Sequence, residues 1–145
     1  MALTQTFYAS ATATASASID DIWEVITDVD GWPNWDQRLE RVELTGDICP
    51  DKRFNLFLTD NLPVVAVVKD LIKNQHFSYE TKSSTHVIRH DVELSILGSK
   101  VKVNMTAQSE IPVQFAENFT TSVWPRFQIG LGISLSNLVT LVDRD

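Results

Sequence analysis

Ala15-Ser16-Ala17-Ser18-Ile19-Asp20-Asp21-Ile22-Trp23-Glu24-Val25-Ile26-Thr27-Asp28-Val29-Asp30-Gly31-Trp32-Pro33-Asn34-Trp35 is the stretch from which the architecture can be read. Ser18 followed by Asp21 resembles an N-cap with an acidic first turn. Ile19, Ile22, Trp23 and Ile26 then recur at helical spacing, which predicts a helix over 19–27. Asp30 is placed to cap a second short helix carrying Trp32 and Trp35, and Pro33 is tolerated in its first turn because the missing donor would be unpaired there anyway. Two bulky indoles around one proline need an apolar receiver. The expected receiver is the mouth of an internal cavity.

Upstream, residues 5–14 are rich in Thr, Ala and aromatic side chains, without Pro or Gly, and predict a first strand whose small residues let a helix approach. Downstream, strands are expected at 38–45, 52–58, 63–72, 75–82, 85–97 and 100–109. The separators are Gly46, Asp60-Asn61, Lys73-Asn74, Ser83-Ser84 and Gly98-Ser99. The last two strands alternate best. Ile88, His90, Val92, Leu94 and Ile96 share one face of the first, and Val101, Val103, Met105 and Ala107 share one face of the second. From Pro112 a long helix follows, with Val113, Ala116, Phe119 and Val123 at spacings of three and four. Pro125 is expected to kink or divide it. Beyond Pro125, Phe127, Leu131, Ser134, Leu135, Leu138 and Val142 form a stripe that Ile129, Ile133 and Leu141 widen, an arc broad enough to cover more than one side.

Composition narrows the function classes. At 145 residues, with 43% hydrophobic and 21% charged residues, the chain reads as a single globular domain over 1–145. A net charge of −7 argues against nucleic acid, whose binding draws on Lys and Arg releasing counterions. No basic region followed by an apolar run opens the sequence, so cytoplasmic residence is the expectation. The uncharged run from Phe127 to Val142, broken by Gly130, Gly132 and polar residues, falls short of the ~18 to 20 apolar residues of a transmembrane segment. Cys49, in the turn context Ile48-Cys49-Pro50, has no neighbouring His to activate it and reads as a structural or exposed thiol rather than a nucleophile.

The chemistry-bearing residues are few. Of the 3 histidines, His86 and His90 stand four apart on a strand, about 13 Å at roughly 3.3 Å per residue, too far to share a metal. His76 lacks a Cys or Glu at ligand spacing, so no metal and no cofactor is expected. Asp28 and Asp30 could open a calcium loop, but Trp32 and Pro33 occupy the positions that need an oxygen ligand and a glycine. Helix capping accounts for most of the acids Asp20, Asp21, Asp28, Asp30 and Asp36. Gly130-Leu131-Gly132 lacks the strand and the third glycine of a dinucleotide loop. His90 shares a face with Ile88 and Val92. It reads as a neutral core imidazole, a ligand contact or an acid/base group. Tyr79, on a face with Phe77, offers a phenol for a ligand carbonyl or a hydroxyl at the sheet edge.

Ala17-Ser18-Ile19-Asp20-Asp21-Ile22-Trp23-Glu24-Val25-Ile26, Asp28 and the Asp30–Trp35 segment together resemble the helix-grip (SRPBCC) superfamily of START lipid-transfer domains, Bet v 1 allergens and bacterial polyketide cyclase/dehydrase-like proteins. Gly46 and Gly98-Ser99-Lys100-Val101 match the family's turns. Asp51 stands where a glycine is common, tolerable because Asp adopts positive φ more readily than most residues. The resemblance implies an α+β helix-grip fold: a curved antiparallel sheet of about seven strands around a long C-terminal helix, with two short helices after the first strand. It also implies a small hydrophobic ligand, such as a lipid, polyketide or aromatic metabolite, in an apolar pocket. The expected liners are Trp32, Trp35, Phe54, Leu56, Phe77, Tyr79, His90, Val92, Met105, Trp124, Phe127 and Leu131, with Trp124, Phe127 and Leu131 facing the tryptophan pair across the opening. A cyclase or dehydratase using His90 as base and Tyr79 as acid is one alternative. An interaction module docking its uncharged terminal helix on a partner, a membrane surface or a second copy in a homodimer is the other.

Overall fold

Alanines at alternate positions of the first strand decide where the last helix lies. The computed structural model describes residues 3–59, 63–82 and 86–144. Strand β1 (Thr4–Ala15) is followed by helix α1 (Ile19–Thr27), a 3-10 turn (Val29–Asn34) and strands β2 (Leu39–Glu43), β3 (Arg53–Leu58), β4 (Pro63–Ile72), β5 (His76–Lys82), β6 (Val87–Leu97) and β7 (Lys100–Pro112). Helix α2 (Val113–Asn118), a π turn (Phe119–Val123) and helix α3 (Trp124–Val142) then run on without a break. The strands form one 7-stranded antiparallel sheet in the order β1-β7-β6-β5-β4-β3-β2, so β1 is an edge strand. This is the helix-grip α+β fold.

Ala9, Ala11, Ala13 and Ala15 turn inward from β1, and their small side chains let α3 lie along that strand. The core fills the concave side with Phe54, Leu56, Ala66, Val68, Phe77, Val92, Val103 and Met105 from the sheet and Leu131, Leu135 and Leu138 from α3. Ser18 caps α1, its side chain accepting from Asp21 N at 3.1 Å. At the far end of α3, Asp143 Oδ1 accepts from Ser16 N at 2.8 Å and Ala17 N at 2.9 Å, fastening the helix to the approach of α1. Asp51 and Asn74 adopt positive φ, 68° and 62°, at the turns before β3 and β5.

Four details depart from the sequence expectations. The segment after α1 is a 3-10 turn with Asp28 at its N-terminal boundary; Asp30 lies inside its first turn and does not cap it. β7 runs on to Pro112 because it stays in register with β1 from Thr4↔Pro112 onward. Ile96 is exposed despite its phase, since β6 there enters the hairpin at Gly98. Pro125 lies just past the irregularity rather than at it: the π turn that separates α2 from α3 ends at Val123 and widens the ladder that the proline ring would otherwise strike. Buried Phe119 is accordingly followed by buried Trp124, one residue beyond the three-or-four spacing of an α-helix. The proposed turns at Asp60-Asn61 and Ser83-Ser84 lie outside the described residues.

Candidate ligand-binding site

The short strand β5 turns Phe77 and Tyr79 toward the concave side, and β6 turns His90 and Val92 the same way opposite them, with Tyr79 paired to His90 in register. The Tyr79 and His90 rings stack at 4.5 Å and 5°. Around Tyr79 gather Trp32 at 5.0 Å, Phe77 at 5.6 Å and Phe54 at 6.1 Å, while Trp35 meets Trp32 edge-on at 6.1 Å. Trp32 donates its indole N–H to the Ile26 carbonyl at 2.8 Å, so the tryptophan is anchored to the end of α1. The Trp35 indole Nε1 is buried with no partner among the described residues.

Trp124 belongs to a different group. It packs with Phe7 at 5.7 Å and Phe119 at 5.5 Å, stacks on Phe127 at 4.9 Å, and donates to the Tyr8 carbonyl at 3.3 Å. Trp124 makes no ring contact with Trp32 or Trp35 among the described residues; the two aromatic groups are joined through Phe127, whose ring is 5.8 Å from His90. Leu56, Val92, Met105 and Leu131 are buried in the same interior. Two hollows, of about 340 Å³ beside α1 and about 390 Å³ between β1 and α3, are open surface grooves that none of the expected liners borders. The rings of Trp32, Phe54, Phe77, Tyr79, His90 and Phe127 pack on one another between the sheet and the helix. Of those liners, Tyr79, His90 and Phe127 are half-buried and the other nine are buried.

Beside these three sits an ion pair that the motif search passed over. Arg38 donates from Nε to Asp36 Oδ1 at 2.9 Å and from Nη2 to Oδ2 at 2.8 Å, a bidentate fork. The Arg38 backbone N–H at 3.1 Å and the Ser134 hydroxyl at 3.0 Å add to Oδ1. The guanidinium carbon lies 5.2 Å from the Phe127 ring centroid. Gly130 makes room for the arginine stem, since a Cβ there would stand 2.8 Å from Arg38 Cδ. A signal existed in the sequence: Gly130 and Ser134, one turn apart, interrupt an otherwise apolar stripe.

Electrostatics fix the protonation states. Burial pushes the His90 imidazole down to about 3, helped by the Arg38 cation against the weaker pull of Asp36 and Asp91, so the ring is neutral near pH 7. Its Nε2 shares a hydrogen bond with the Thr81 hydroxyl at 2.9 Å. Burial and the Asp36 charge raise the Tyr79 phenol, which stays protonated. Burial alone would raise the Asp36 carboxyl, but the hydrogen bonds and charge of Arg38, with Ser134, hold it below its ordinary value. The cluster is equipped to orient a guest by hydrogen bonds. It holds no group poised to exchange protons at neutral pH. Among the described residues no group of His, Cys, Asp and Glu is arranged to hold a metal ion, and no helix is long and apolar enough to cross a membrane.

A family model described as polyketide cyclase / dehydrase and lipid transport matches residues 6–142. No curated protein matches the sequence. Among solved structures, a hypothetical protein of Helicobacter pylori superposes with a TM-score of 0.78 at 14% identity, covering 94% of this chain and 88% of that one. A point mutant of norcoclaurine synthase from Thalictrum flavum, in complex with a transition state analogue, gives 0.77 at 11% identity, covering 98% and 97%. A START superfamily protein from Mycobacterium smegmatis gives 0.66 at 13% identity, covering 94% of each.

Proposed function

Because the chain belongs to the polyketide cyclase/dehydrase and lipid-transport family, we propose that it binds a small hydrophobic molecule between the concave face of the sheet and α3. The carrying observation is the half-buried triplet Tyr79, His90 and Phe127, lying over an interior otherwise lined by buried Trp32, Trp35, Phe54 and Phe77. Phe127 packs against His90, so a guest enters by displacing that ring and takes its place beside the Tyr79–His90 stack. Binding then draws on apolar burial at roughly 25 cal/mol per Å², and affinity rises with the guest's apolar area. A norcoclaurine synthase of like fold was solved with a transition state analogue, which supports a small-molecule guest. Catalysis through His90 is the weaker reading, because an imidazole with a pKa of about 3 is a poor base near neutrality.

Tryptophan emission provides the test, since Trp32 and Trp124 flank the triplet. Titration with the neutral probe N-phenyl-1-naphthylamine is expected to quench it saturably, with uptake several-fold faster in Phe127→Ala. Absence of saturable uptake in both proteins overturns the proposal.

A further inference from the structure

The ion pair beside the triplet has donors to spare, and its carboxylate is already largely committed. Asp36 Oδ1 already receives the Arg38 backbone N–H, Arg38 Nε and the Ser134 hydroxyl, and Oδ2 receives Arg38 Nη2. Asp36 is buried, and its charge is matched by the guanidinium it grips. Arg38 Nη1 and the Tyr79 hydroxyl make no hydrogen bond among the described residues, and the Trp35 indole N–H, next in sequence to Asp36, is buried without a partner. Of these only the indole is sealed from solvent, so an apolar guest that displaces water from Arg38 and Tyr79 leaves them unmet unless it brings an acceptor of its own. The charge balance selects which acceptor. Arg38 is already neutralised, so a carboxylate would enter as an unpaired anion beside Asp36, whereas a carbonyl oxygen satisfies the donors at no such cost.

Resting on the hydrophobic-guest reading above, we infer that the site selects apolar molecules carrying a neutral acceptor, a ketone or an ester, and discriminates against the corresponding carboxylic acids. Arg38 and Tyr79 are the donors that recognise the oxygen, and Asp36 sets the preference by cancelling the arginine's charge. Phe127, lying under the guanidinium, is the ring whose displacement brings the guest's polar end to them. The preference is therefore a property of the Asp36–Arg38 pair as a unit.

Decan-2-one, decanoate and decane, followed by tryptophan fluorescence at pH 7, test this. Wild-type protein is expected to bind decan-2-one about tenfold more tightly than decanoate, and more tightly than decane. Asp36→Asn leaves the arginine charge uncancelled and is expected to reverse the order, so that decanoate binds best, an outcome that loss of packing alone does not produce. Tyr79→Phe keeps the ring and removes the hydroxyl. It is expected to weaken the ketone several-fold while decane is unchanged, and it decides the matter if Asp36→Asn does not fold. Equal or tighter binding of decanoate by wild type, an unchanged order in folded Asp36→Asn, or an unchanged ketone affinity in Tyr79→Phe overturns the inference and leaves the hydrophobic-guest reading standing. Failure of all three compounds to bind overturns both.

Discussion

Two arginine–carboxylate networks lie on opposite sides of the same sheet, and they are built to different ends. On the outer face Arg89 reaches Asp91 through Nε at 3.2 Å, Asp70 at 3.0 Å and Ser78 at 3.3 Å, while His76 bonds Asp91 at 2.7 Å. The Arg89 and Asp70 side chains are 41% and 51% exposed, so water competes for the contact between them. On the inner side the Asp36 carboxylate is only 9% exposed, and the Arg38 guanidinium that grips it lies over the Phe127 ring. The outer network has more members and the inner one matters more. Desolvation, not the number of hydrogen bonds, decides what a charge pair does to a fold.

The comparison can be broken most forcefully from the inside. Asp36→Ala strands a guanidinium among rings, and urea unfolding is expected to show a loss of about 3 kcal/mol. His90 sharpens the contrast through pH. Its folded pKa of about 3 lies below the ordinary 6.5, so in acid the unfolded chain takes up a proton that the folded one refuses. Stability is therefore intact above about pH 6.5 and falls toward pH 3, at up to ~1.4 kcal/mol per unit. Asp36, also depressed, adds its loss only below its ordinary 3.8. In His90→Gln the decline of Tm between pH 6.5 and the carboxylate range is expected to shrink, leaving the share of half-buried His86, whose imidazole burial also lowers. The smallest effect belongs to the outer face: Arg89→Ala should cost under about 1 kcal/mol and become undetectable in ~1 M salt, because Ser78 and Asp70 keep their mutual bond. A larger, salt-resistant loss would mean that the two sides are less different than their exposure indicates.

Local patterns carried the architecture well. Ser18 with the Ile19–Ile26 spacing marked α1, the alternation in β6 and β7 marked the inner faces of those strands, and Asp51 took the positive φ expected of it. Each of those signals acts between neighbours in sequence. Asp36 escaped because its burial is not local: beside Arg38 it looked like one more surface acid until α3 brought Ser134 and Phe127 over the pair from the far end of the chain. That Trp124 connects to Trp32 through Phe127, His90 and Tyr79 was likewise invisible, since such ring packing is settled only in three dimensions.

Gly130 has a wider consequence than making room for one side chain. A glycine inside a helix costs roughly 1 kcal/mol of propensity relative to alanine, and here it leaves a notch in which the Arg38 stem lies. Apolar ridges slide over one another by a turn at modest expense, but a notch admits its key at one position only. Sliding α3 by one turn would present Arg126 or Ser134 to Arg38 in place of Gly130, meeting like charge on one side and losing the Asp36 bond on the other. The axial setting of the terminal helix is thus indexed by an absent side chain.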